Sequence, residues 1–417
     1  MQIGIVGSGI AGLTAGWCLT QAGCQVSVFE KHSILGMDAH SVDMTVDGQT
    51  VRSDVPPRMF NEAQWPSLCR LYRQIGVEFE AVSPTKSFCS VGQPAVLNLR
   101  ASYQPKLSPA LLLNASTRAI TKDISRMMLG VEEFLLEPTE ITMGDYLAAH
   151  SYSSPFIYEF LYPALSSTVC TCSYESLDRY PASILLKMMQ DLIVPDGLFR
   201  TTHGTRDVVS RLSSVLDDVR LETAVASVKP TKAGAQLILG SGEILEFDHV
   251  IVATQANAVE GLVEGLSAFE LSVLNSFEYE NVKTYVHQDA ALMPVRKKDW
   301  ANFNLINDEQ GNAAMCSIWL NEFYPDWNLK SDVFQTIMPL MEPAGDCLVA
   351  TANMQRPVVD SKTNDLQNAL IDLHKQPKRR IWFCGSYANP GVPLLESGVR
   401  SSLNVSSLIS SRELNFI

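Results

Sequence analysis

The amino-acid sequence predicts an α/β fold, with one domain built on a parallel sheet and a second, discontinuous α+β domain. Three observations predict it. The chain has 417 residues, which is enough for two or three structural units at roughly 100–200 residues each. A strand, a glycine-rich turn, a helix and a second strand follow one another within the first thirty residues. A further strand–glycine–helix unit lies near the C-terminus.

The N-terminal unit shows the local order of a βαβ fold. Met1–Val6 predicts a short buried strand, and Leu13–Ala22 predicts a helix that ends before Gly23 as its C′ residue. Gln25–Glu30 predicts a second strand that closes on an acid. A GxGxxG pattern is weak evidence for nucleotide binding when it stands alone, but it is strong evidence between a strand and a helix, as here.

The turn of this unit indicates a dinucleotide site, and its residues are Gly7, Ser8, Gly9, Ile10, Ala11 and Gly12. Gly7 permits the tight turn, Gly9 lets the backbone approach a pyrophosphate, and Gly12 allows close helix–sheet packing. The helix N-terminus offers free N–H groups to phosphates. Glu30 is placed to accept hydrogen bonds from ribose hydroxyls, which disfavours NADP.

The C-terminal unit favours FAD over NAD. Arg380–Gly385 predicts a buried strand and Leu394–Ile409 a helix. A simple nicotinamide dehydrogenase does not need this unit, whereas the far end of FAD needs its own anchor. A helix that starts at Val392–Leu395 would aim its dipole at the flavin N1/O2 edge.

The middle of the chain predicts a return to the same sheet. Thr205–Leu216 fits an amphipathic helix, Arg220–Val225 a strand and Gln236–Leu239 another strand. A turn at residues 240–242 then leads to a strand over Ile244–Ala253. The apolar run Ala182–Val194 predicts a helix that is either part of the core or a lipid-facing wall.

Charge and cysteine content restrict the partners and the compartment. With 32 Lys and Arg against 45 Asp and Glu, the formal net charge is −13, which argues against nucleic acid as the main ligand. Nine cysteines without framework spacing suit reduced thiols, so we predict a cytoplasmic protein. We predict no metal site, since the histidines never fall at HxxxH spacing and Cys170-Thr171-Cys172 has no further ligand nearby.

The N-terminus and the hydropathy pattern bear on membranes. The first thirty residues lack the basic start of a signal peptide. No run of 18 or more apolar residues predicts a transmembrane segment, while peripheral membrane contact and the oligomeric state stay open.

Stretches along nearly the whole chain resemble the flavin-containing amine oxidoreductase superfamily, which includes amine oxidases and phytoene desaturases. Within it, the chain is most similar to bacterial predicted NAD/FAD-binding proteins that resemble the N-terminal segment of plant cyclopropane fatty acid synthases. Besides the terminal units, the similar stretches are Gly36–Val42, Phe60–Glu62, His287–Asp289, Leu292–Pro294 and Trp300.

The sequence departs from this superfamily at three places. A single Gly36-Met37 stands where two glycines are usual, and Asp54-Val55-Pro56 stands where Asp-x-Gly is common. Ser386 stands where an acid usually holds the ribityl chain.

The resemblance implies a Rossmann-like FAD-binding domain in three segments, 1–55, 200–262 and 376–417, with a substrate domain at 56–199 and 263–375. Beyond the turn residues and Glu30, the cofactor-binding residues it implies are Lys31, Gly36, Met37, Val225, Gly385, Ser386, Val392, Leu394 and Leu395. In the superfamily, the backbone of the valine that matches Val225 meets the adenine.

The expected activity is FAD-dependent oxidation of a small molecule, with hydride transfer from an amine or an apolar, unsaturated substrate to flavin N5. By resemblance, catalytic candidates are Tyr387, Lys283 and His40, and the aromatic candidates Trp300 and Trp319 could also line the flavin. Two alternatives stay open: a redox-neutral FAD-dependent isomerase of fatty-acid or polyene type, and a flavin-binding accessory protein without turnover.

Overall fold

A computed structural model of the chain describes residues 1–99, 114–192 and 197–410. The predicted apolar helix forms over Ala182–Leu192, and the last two residues of that prediction, Ile193 and Val194, lie outside the described residues. The division into domains at 55, 199, 262 and 375 stays a prediction.

The strands of the described residues are numbered in chain order. They are β1 (Gln2–Val6), β2 (Gln25–Phe29), β3 (Val42–Val46), β4 (Gln49–Ser53), β5 (Phe79–Val82), β6 (Lys86–Ser90), β7 (Leu97–Leu99), β8 (Leu198–Thr201), β9 (Asp218–Arg220), β10 (Val225–Pro230), β11 (Ala235–Leu239), β12 (Ile244–Phe247), β13 (His249–Val252), β14 (Tyr279–His287), β15 (Phe303–Asn307), β16 (Ala314–Trp319), β17 (Phe334–Ile337), β18 (Leu348–Pro357) and β19 (Ile381–Phe383).

The helices are numbered in the same way, with α5 naming one stretch in which α-helical and π-helical turns alternate. They are α1 (Ile10–Gln21), α2 (Pro66–Gln74), α3 (Ala115–Leu136), α4 (Met143–Ala149), α5 (154–170), α6 (Tyr174–Arg179), α7 (Ala182–Leu192), α8 (Gly204–Ser213), α9 (Ala268–Asn275), α10 (Leu320–Phe323), α11 (Thr363–His374) and α12 (Leu395–Ser410).

One five-stranded sheet joins three distant parts of the chain. Its order is β19-β13-β1-β2-β9, and every neighbouring pair is parallel. β1, β13 and β19 are apolar and almost fully buried, as expected for parallel strands that are covered on both faces. The carboxyl ends of strands from residues 2–29, 218–252 and 381–383 therefore meet at one edge of the sheet.

Two of the predicted strands were wrong in extent. The predicted strand Arg220–Val225 is the junction of β9 and β10, which belong to different sheets, and Glu222 turns the chain there with a φ of 50°. The predicted strand Ile244–Ala253 divides at Asp248 in the same way, because β12 belongs to an antiparallel meander with β10 and β11 while β13 enters the parallel sheet.

A second sheet forms the other half of the molecule. Its order is β18-β14-β17-β16-β15-β6-β7, and it is antiparallel except for the β15–β6 pair. Helices α3 to α7 supply the other side of a large apolar core, in which Phe88, Phe160, Leu165 and Cys316 are buried. This mixed arrangement agrees with a discontinuous α+β unit.

Two buried histidines tie fold stability to pH. His287 Nδ1 accepts from the Asp289 amide at 3.2 Å, and His374 Nε2 accepts from the Phe383 amide at 3.1 Å. Burial lowers the pKa of His287 to about 4 and that of His374 to about 3. The folded state therefore favours neutral rings, whereas the unfolded chain takes up protons below about pH 6.5.

We expect the free energy of unfolding to fall by about 2 kcal/mol per histidine between pH 7 and pH 5. Urea titrations at both pH values would measure this difference. In the His287→Gln protein, the difference in unfolding free energy between pH 7 and pH 5 should be smaller by about 2 kcal/mol, the contribution of one histidine. An unchanged difference would contradict the view that His287 is held neutral in the folded state.

Candidate functional site

The glycine turn lies at the carboxyl end of β1, and its glycines differ in what surrounds them. A Cβ at Gly12 would lie 2.0 Å from the Gly7 carbonyl oxygen, and one at Gly7 would lie 3.0 Å from the Ala253 carbonyl oxygen. Gly7 also has a φ of +99°. A Cβ at Gly9, by contrast, would meet nothing within 4 Å. Gly7 and Gly12 are therefore required by the fold, while Gly9 faces open space.

Glu30 follows β2 and connects the turn to the next loop. One carboxylate oxygen accepts from the Ser8 amide at 3.1 Å and from the Ser8 hydroxyl at 2.6 Å, and the other accepts from the His32 amide at 3.0 Å. The Ser8 hydroxyl in turn accepts from the Gly36 amide at 2.9 Å. Glu30 is buried, yet a carboxylate has about four lone-pair sites, so it can still accept from a ligand hydroxyl. Lys31 beside it is exposed.

The loop at Gly36 shows why a single glycine, followed by Met37, can stand where the superfamily usually has two glycines. A Cβ at Gly36 would lie 1.8 Å from the Ser8 carbonyl oxygen, and its φ is +43°, so this glycine is needed. Met37 is buried in the apolar cluster that also contains Ile10 and Trp17. The side chain at the second position is thus part of an apolar core.

A carboxylate network holds this loop against α8. Asp38 forms an ion pair with Arg52 at 2.7 Å. Asp54 accepts hydrogen bonds from the Thr205 amide at 3.2 and 3.1 Å, where the dipole of α8 favours a negative charge. Asp54 in the Asp-Val-Pro sequence is therefore a helix-capping residue.

Arg58 is a candidate site residue that sequence reasoning missed. Its Nη2 donates to the Met37 carbonyl oxygen at 3.3 Å, while its Nη1 is buried with no hydrogen-bond partner among the described residues. A buried guanidinium nitrogen without an acceptor is costly. Position 58 offered one signal, since it carries the first cation after β4, in the loop that follows Pro56 and Pro57.

Helices α1 and α12 run side by side in the same direction. A Cβ at Gly398 would lie 2.9 Å from Ile10 Cγ2, and the Ser402 hydroxyl donates to the Ala11 carbonyl oxygen at 2.7 Å. Further along, both helices contribute to one apolar cluster that contains Ala15, Leu19, Val405 and Ile409. Both N-termini therefore open toward the carboxyl edge of the parallel sheet, with free N–H groups in each first turn.

The entry to α12 is a tight turn anchored to α2. Gly391 has a φ of +110° and open space around its Cβ position, and the Leu394 amide donates to the Val392 carbonyl oxygen at 2.7 Å. Glu396, in the first turn, accepts from the Ser67 and Leu68 amides at 3.2 and 2.8 Å. Leu395 is half-buried.

The remaining predicted cofactor residues lie around the same edge. Val225 begins β10 two residues after Thr223, whose amide donates to the Glu30 carbonyl oxygen at 2.8 Å. Gly385 follows β19, and its amide donates to the Ser401 hydroxyl at 3.1 Å. Ser386 next to it is half-buried.

The catalytic candidates do not converge. Tyr387 is buried in the core between the parallel sheet and helices α9 and α11, with its ring edge-on to Phe277 at 5.0 Å. Lys283 is exposed on β14, 5.6 Å from the Tyr285 ring. His40 is exposed in the loop before β3, and the pKa of its ring is lowered by desolvation, by His32 and by Arg58. As catalytic residues these three stay predictions.

Two of the predicted aromatic candidates contact each other. Trp300 and Trp319 pack edge to face at 5.3 Å. Their ring nitrogens donate to the Pro294 carbonyl oxygen at 2.7 Å and to Asp332 at 3.1 Å. Trp319 ends β16 and Trp300 lies in the loop before β15, so both rings are fixed at one end of the second sheet.

Two cavities lie on either side of α7. The apolar cavity, of about 70 Å³, is lined from α3, α5, α7, β6 and β7, with Met189 on the α7 side. The α12 cavity, of about 480 Å³, is lined by Trp65, Ile184 and the turn that includes Gly391, Val392 and Leu394. In the described ranges no group of three or more metal-binding side chains occurs, and no helix there is long and apolar enough to cross a membrane.

Comparisons with known proteins agree with this architecture. Residues 5–75 match the NAD(P)-binding Rossmann-like domain family. Wild-type putrescine oxidase bound to putrescine superposes with a TM-score of 0.67 at 15% identity, over 99% of this chain and all of that one. The chain has the amine oxidase fold.

Two other proteins match this chain, one in sequence and one in structure. (S)-6-hydroxynicotine oxidase from Paenarthrobacter nicotinovorans is 24% identical over 265 residues, which are 62% of this chain and 61% of that enzyme, so the match spans about three fifths of its length. A CLA-producing fatty acid isomerase from P. acnes superposes with a TM-score of 0.68 at 11% identity, over 98% of both chains. The predicted α/β fold with a Rossmann-like domain is confirmed, and the predicted resemblance is confirmed for the fold.

Proposed function

We propose that the chain is an oxidoreductase that binds FAD across the adjacent N-termini of α1 and α12. The parallel packing of these helices is the observation that carries the proposal, because it places two sets of free backbone N–H groups at one edge of the sheet. The α1 end suits a pyrophosphate, and the α12 end suits the negative edge of a flavin ring.

The residues around these helix ends fit such a group. The open space over Gly9 would admit the pyrophosphate, and the buried Nη1 of Arg58 lacks an acceptor that a phosphate oxygen would supply. Glu30 would hold the ribose hydroxyls, and Val225, two residues after Thr223, which donates to the Glu30 carbonyl oxygen, would face the adenine. The turn at Val392–Leu395 would hold the ring end.

The α12 unit favours FAD over NAD as the resident cofactor. A nicotinamide dinucleotide could use the β1–α1–β2 unit alone, whereas here β19 joins the same sheet and α12 opens beside α1. FAD is long enough to extend from the N-terminus of α1 to that of α12 and would therefore use both helix ends.

Bound FAD would supply a hydride acceptor, since the chain's own described residues show no convergent nucleophile and base. The protein's part would be to exclude water, to orient the substrate and to hold negative charge at the N–H groups of residues 395–397.

The substrate is a small amine or an apolar, unsaturated molecule. The named substrate of putrescine oxidase supports the first class, and the apolar cavity supports the second. The cavity also favours a second candidate function, a redox-neutral isomerase, which would convert an apolar substrate without consuming a net oxidant. We also propose that, within the superfamily, the chain is most similar to bacterial proteins that resemble the flavoprotein segment of plant cyclopropane fatty acid synthases.

The α12 end can be tested by Leu395→Asp. An acid at a helix N-terminus beside the flavin should lower its potential, and an electrostatic effect of roughly 0.3–2 kcal/mol corresponds to about 6–40 mV for two electrons. The purified protein should first show flavin bands near 375 and 450 nm, as general flavin chemistry requires. A redox titration of bound flavin then measures the shift, and a thermal melt checks the fold. Full flavin content with an unchanged potential would contradict the placement.

Glu30→Ala tests the ribose end. We expect FAD affinity to fall by about 1.5–3 kcal/mol, the free energy of hydrogen bonds to a charged group, with the flavin potential nearly unchanged. The apo protein should also melt lower, because Ser8 and His32 lose their acceptor. Equilibrium dialysis would measure the affinity, with Glu30→Gln as the isosteric control. A shifted potential without loss of affinity would place Glu30 elsewhere.

A further inference from the structure

The α12 cavity has the volume and the lining of a small-molecule site. Its volume of about 480 Å³ lies within the roughly 300–1,000 Å³ that such sites occupy. Much of its wall is apolar, with Trp65 before α2, Leu135 at the end of α3, and Ile184 and Met188 on α7. These side chains suit the hydrocarbon part of a ligand.

The cavity lies on the side of α12 that faces away from α1. Glu396, Ser397 and Arg400 line the cavity, whereas Gly398 and Ser402 contact α1. At about 100° per residue, the two sets are centred about half a turn apart. The turn before α12 borders both the cavity and the proposed flavin position. A ligand in the cavity would therefore lie beside the flavin ring and not between the two helix ends.

Gln64 lines the cavity and carries an unpaired acceptor. Its Nε2 donates to the Met188 carbonyl oxygen at 2.8 Å, which fixes the orientation of the side-chain amide. Its Oε1 is buried and has no hydrogen-bond partner among the described residues. A buried carbonyl oxygen without a donor is costly, and an N–H or O–H group of a ligand would satisfy it.

The charged groups of the lining disfavour a cationic ligand. Among the described lining residues, Lys187 and Arg400 are cations and Glu396 is the one carboxylate. Both Glu396 oxygens already accept from backbone amides, those of Ser67 and Leu68. A cation that leaves water for this cavity would meet more positive than negative charge, whereas a neutral ligand has no such penalty.

We propose that the α12 cavity binds a neutral, apolar molecule through one N–H or O–H group that donates to Gln64 Oε1. Gln64 is then a specificity-determining residue, since it favours a ligand with a donor over a hydrocarbon or an ether of similar size. That this ligand is the substrate rests on the proposed function, whereas the binding itself does not. In that case the substrate carries an N–H or O–H group, which a plain hydrocarbon polyene lacks.

Isothermal titration of the purified full-length protein, with its flavin content recorded, tests the site with four ligands of one skeleton. The neutral donors are 4-butylphenol and 4-butylaniline, the ligand without a donor is 4-butylanisole, and the cation is (4-butylphenyl)trimethylammonium. Each donor should bind about tenfold more tightly than the anisole, because one hydrogen bond to a buried, otherwise unpaired acceptor changes affinity by about that factor. The cation should bind at least tenfold more weakly than the anisole.

Gln64→Met removes the acceptor and keeps a side chain of similar length. In this variant the affinity for 4-butylanisole should be unchanged, while the preference for 4-butylphenol should fall from about tenfold to less than about threefold. A structural role of Gln64 alone would weaken both ligands equally.

Two neighbouring positions on α3 provide matched variants. Leu135 lines the cavity, while Leu136 beside it is 78% exposed. Leu135→Trp should fill the cavity and weaken 4-butylphenol at least tenfold, whereas Leu136→Trp should leave its affinity unchanged. Thermal melts would confirm that these variants and Gln64→Met fold.

Four results would overturn the proposal: no binding of either donor, equal affinity for 4-butylanisole, an undiminished preference for the donor in the Gln64→Met protein, or equal affinity of the Leu135→Trp and Leu136→Trp proteins. Loss of binding when flavin is added would overturn it as well, since the ring would then fill the cavity. A protein that takes up no flavin yet binds 4-butylphenol with the expected preference would refute the proposed function and support the ligand site.

Discussion

Gly9→Asp should yield a folded, colourless protein whose affinity for FAD is reduced more than 100-fold, or about 2.7 kcal/mol. The fold should survive, because a side chain at this position would meet nothing within 4 Å. The cofactor should not bind, because the new carboxylate would lie where the pyrophosphate is expected. Like charges about 4 Å apart repel by about 4 kcal/mol at an effective dielectric constant of 20. Flavin absorbance after purification, with a thermal melt, measures both effects.

Gly12→Val is the informative comparison, since its Cβ would lie 2.0 Å from the Gly7 carbonyl oxygen. This variant should lose the fold together with the cofactor, while Gly9→Ala should keep the fold and lose less affinity than Gly9→Asp, because its methyl group enters the pyrophosphate space without adding a charge. A yellow Gly9→Asp protein at full flavin content would show that the glycine turn does not hold a pyrophosphate.

Arg58→Met should have opposite effects on the free and the loaded protein. Without cofactor, the variant should be as stable as the parent or more so, because it removes a buried nitrogen that has no acceptor. With FAD, affinity should fall by about 1.5–3 kcal/mol, since a charged hydrogen bond to phosphate is lost. Melting temperatures with and without added FAD, together with a dialysis isotherm, measure the two effects.

Arg52→Met is the matched control for Arg58→Met. Arg52 has two carboxylate partners, Asp38 at 2.7 Å and Asp43 at 2.6 Å, so its loss should destabilise the free protein and affect the cofactor only indirectly. If Arg58→Met destabilised the free protein as much as Arg52→Met does, Arg58 would be a structural residue.

Local signals allowed the glycine turn and its flanking strand and helix to be predicted from the sequence. Glycines 7, 9 and 12 and the acid at position 30 have fixed offsets from a strand and a helix, so their roles can be inferred without tertiary knowledge. The same holds for the C-terminal helix, which begins at Leu395, within one residue of the prediction.

Non-local contacts account for what sequence reasoning could not supply. Whether residues near 222 and 248 continue a strand or change sheets depends on partners such as β1, more than 200 positions away. Arg58 drew no attention because only the fold places its guanidinium against Met37. Tyr387 belongs to a recognisable C-terminal pattern, yet its ring direction was decided by packing against Phe277.

The sheet order has a consequence for biosynthesis. β1 is central, but its neighbour β13 lies more than 200 residues downstream, and β19 and α12 come from the last tenth of the chain. At roughly 5–20 residues per second, a ribosome needs on the order of tens of seconds to deliver those partners. During that interval the nascent chain carries an apolar strand with an unpaired edge, which is a substrate for chaperones. Cofactor loading is therefore expected to wait until β19 and α12 have been synthesised and have left the ribosome.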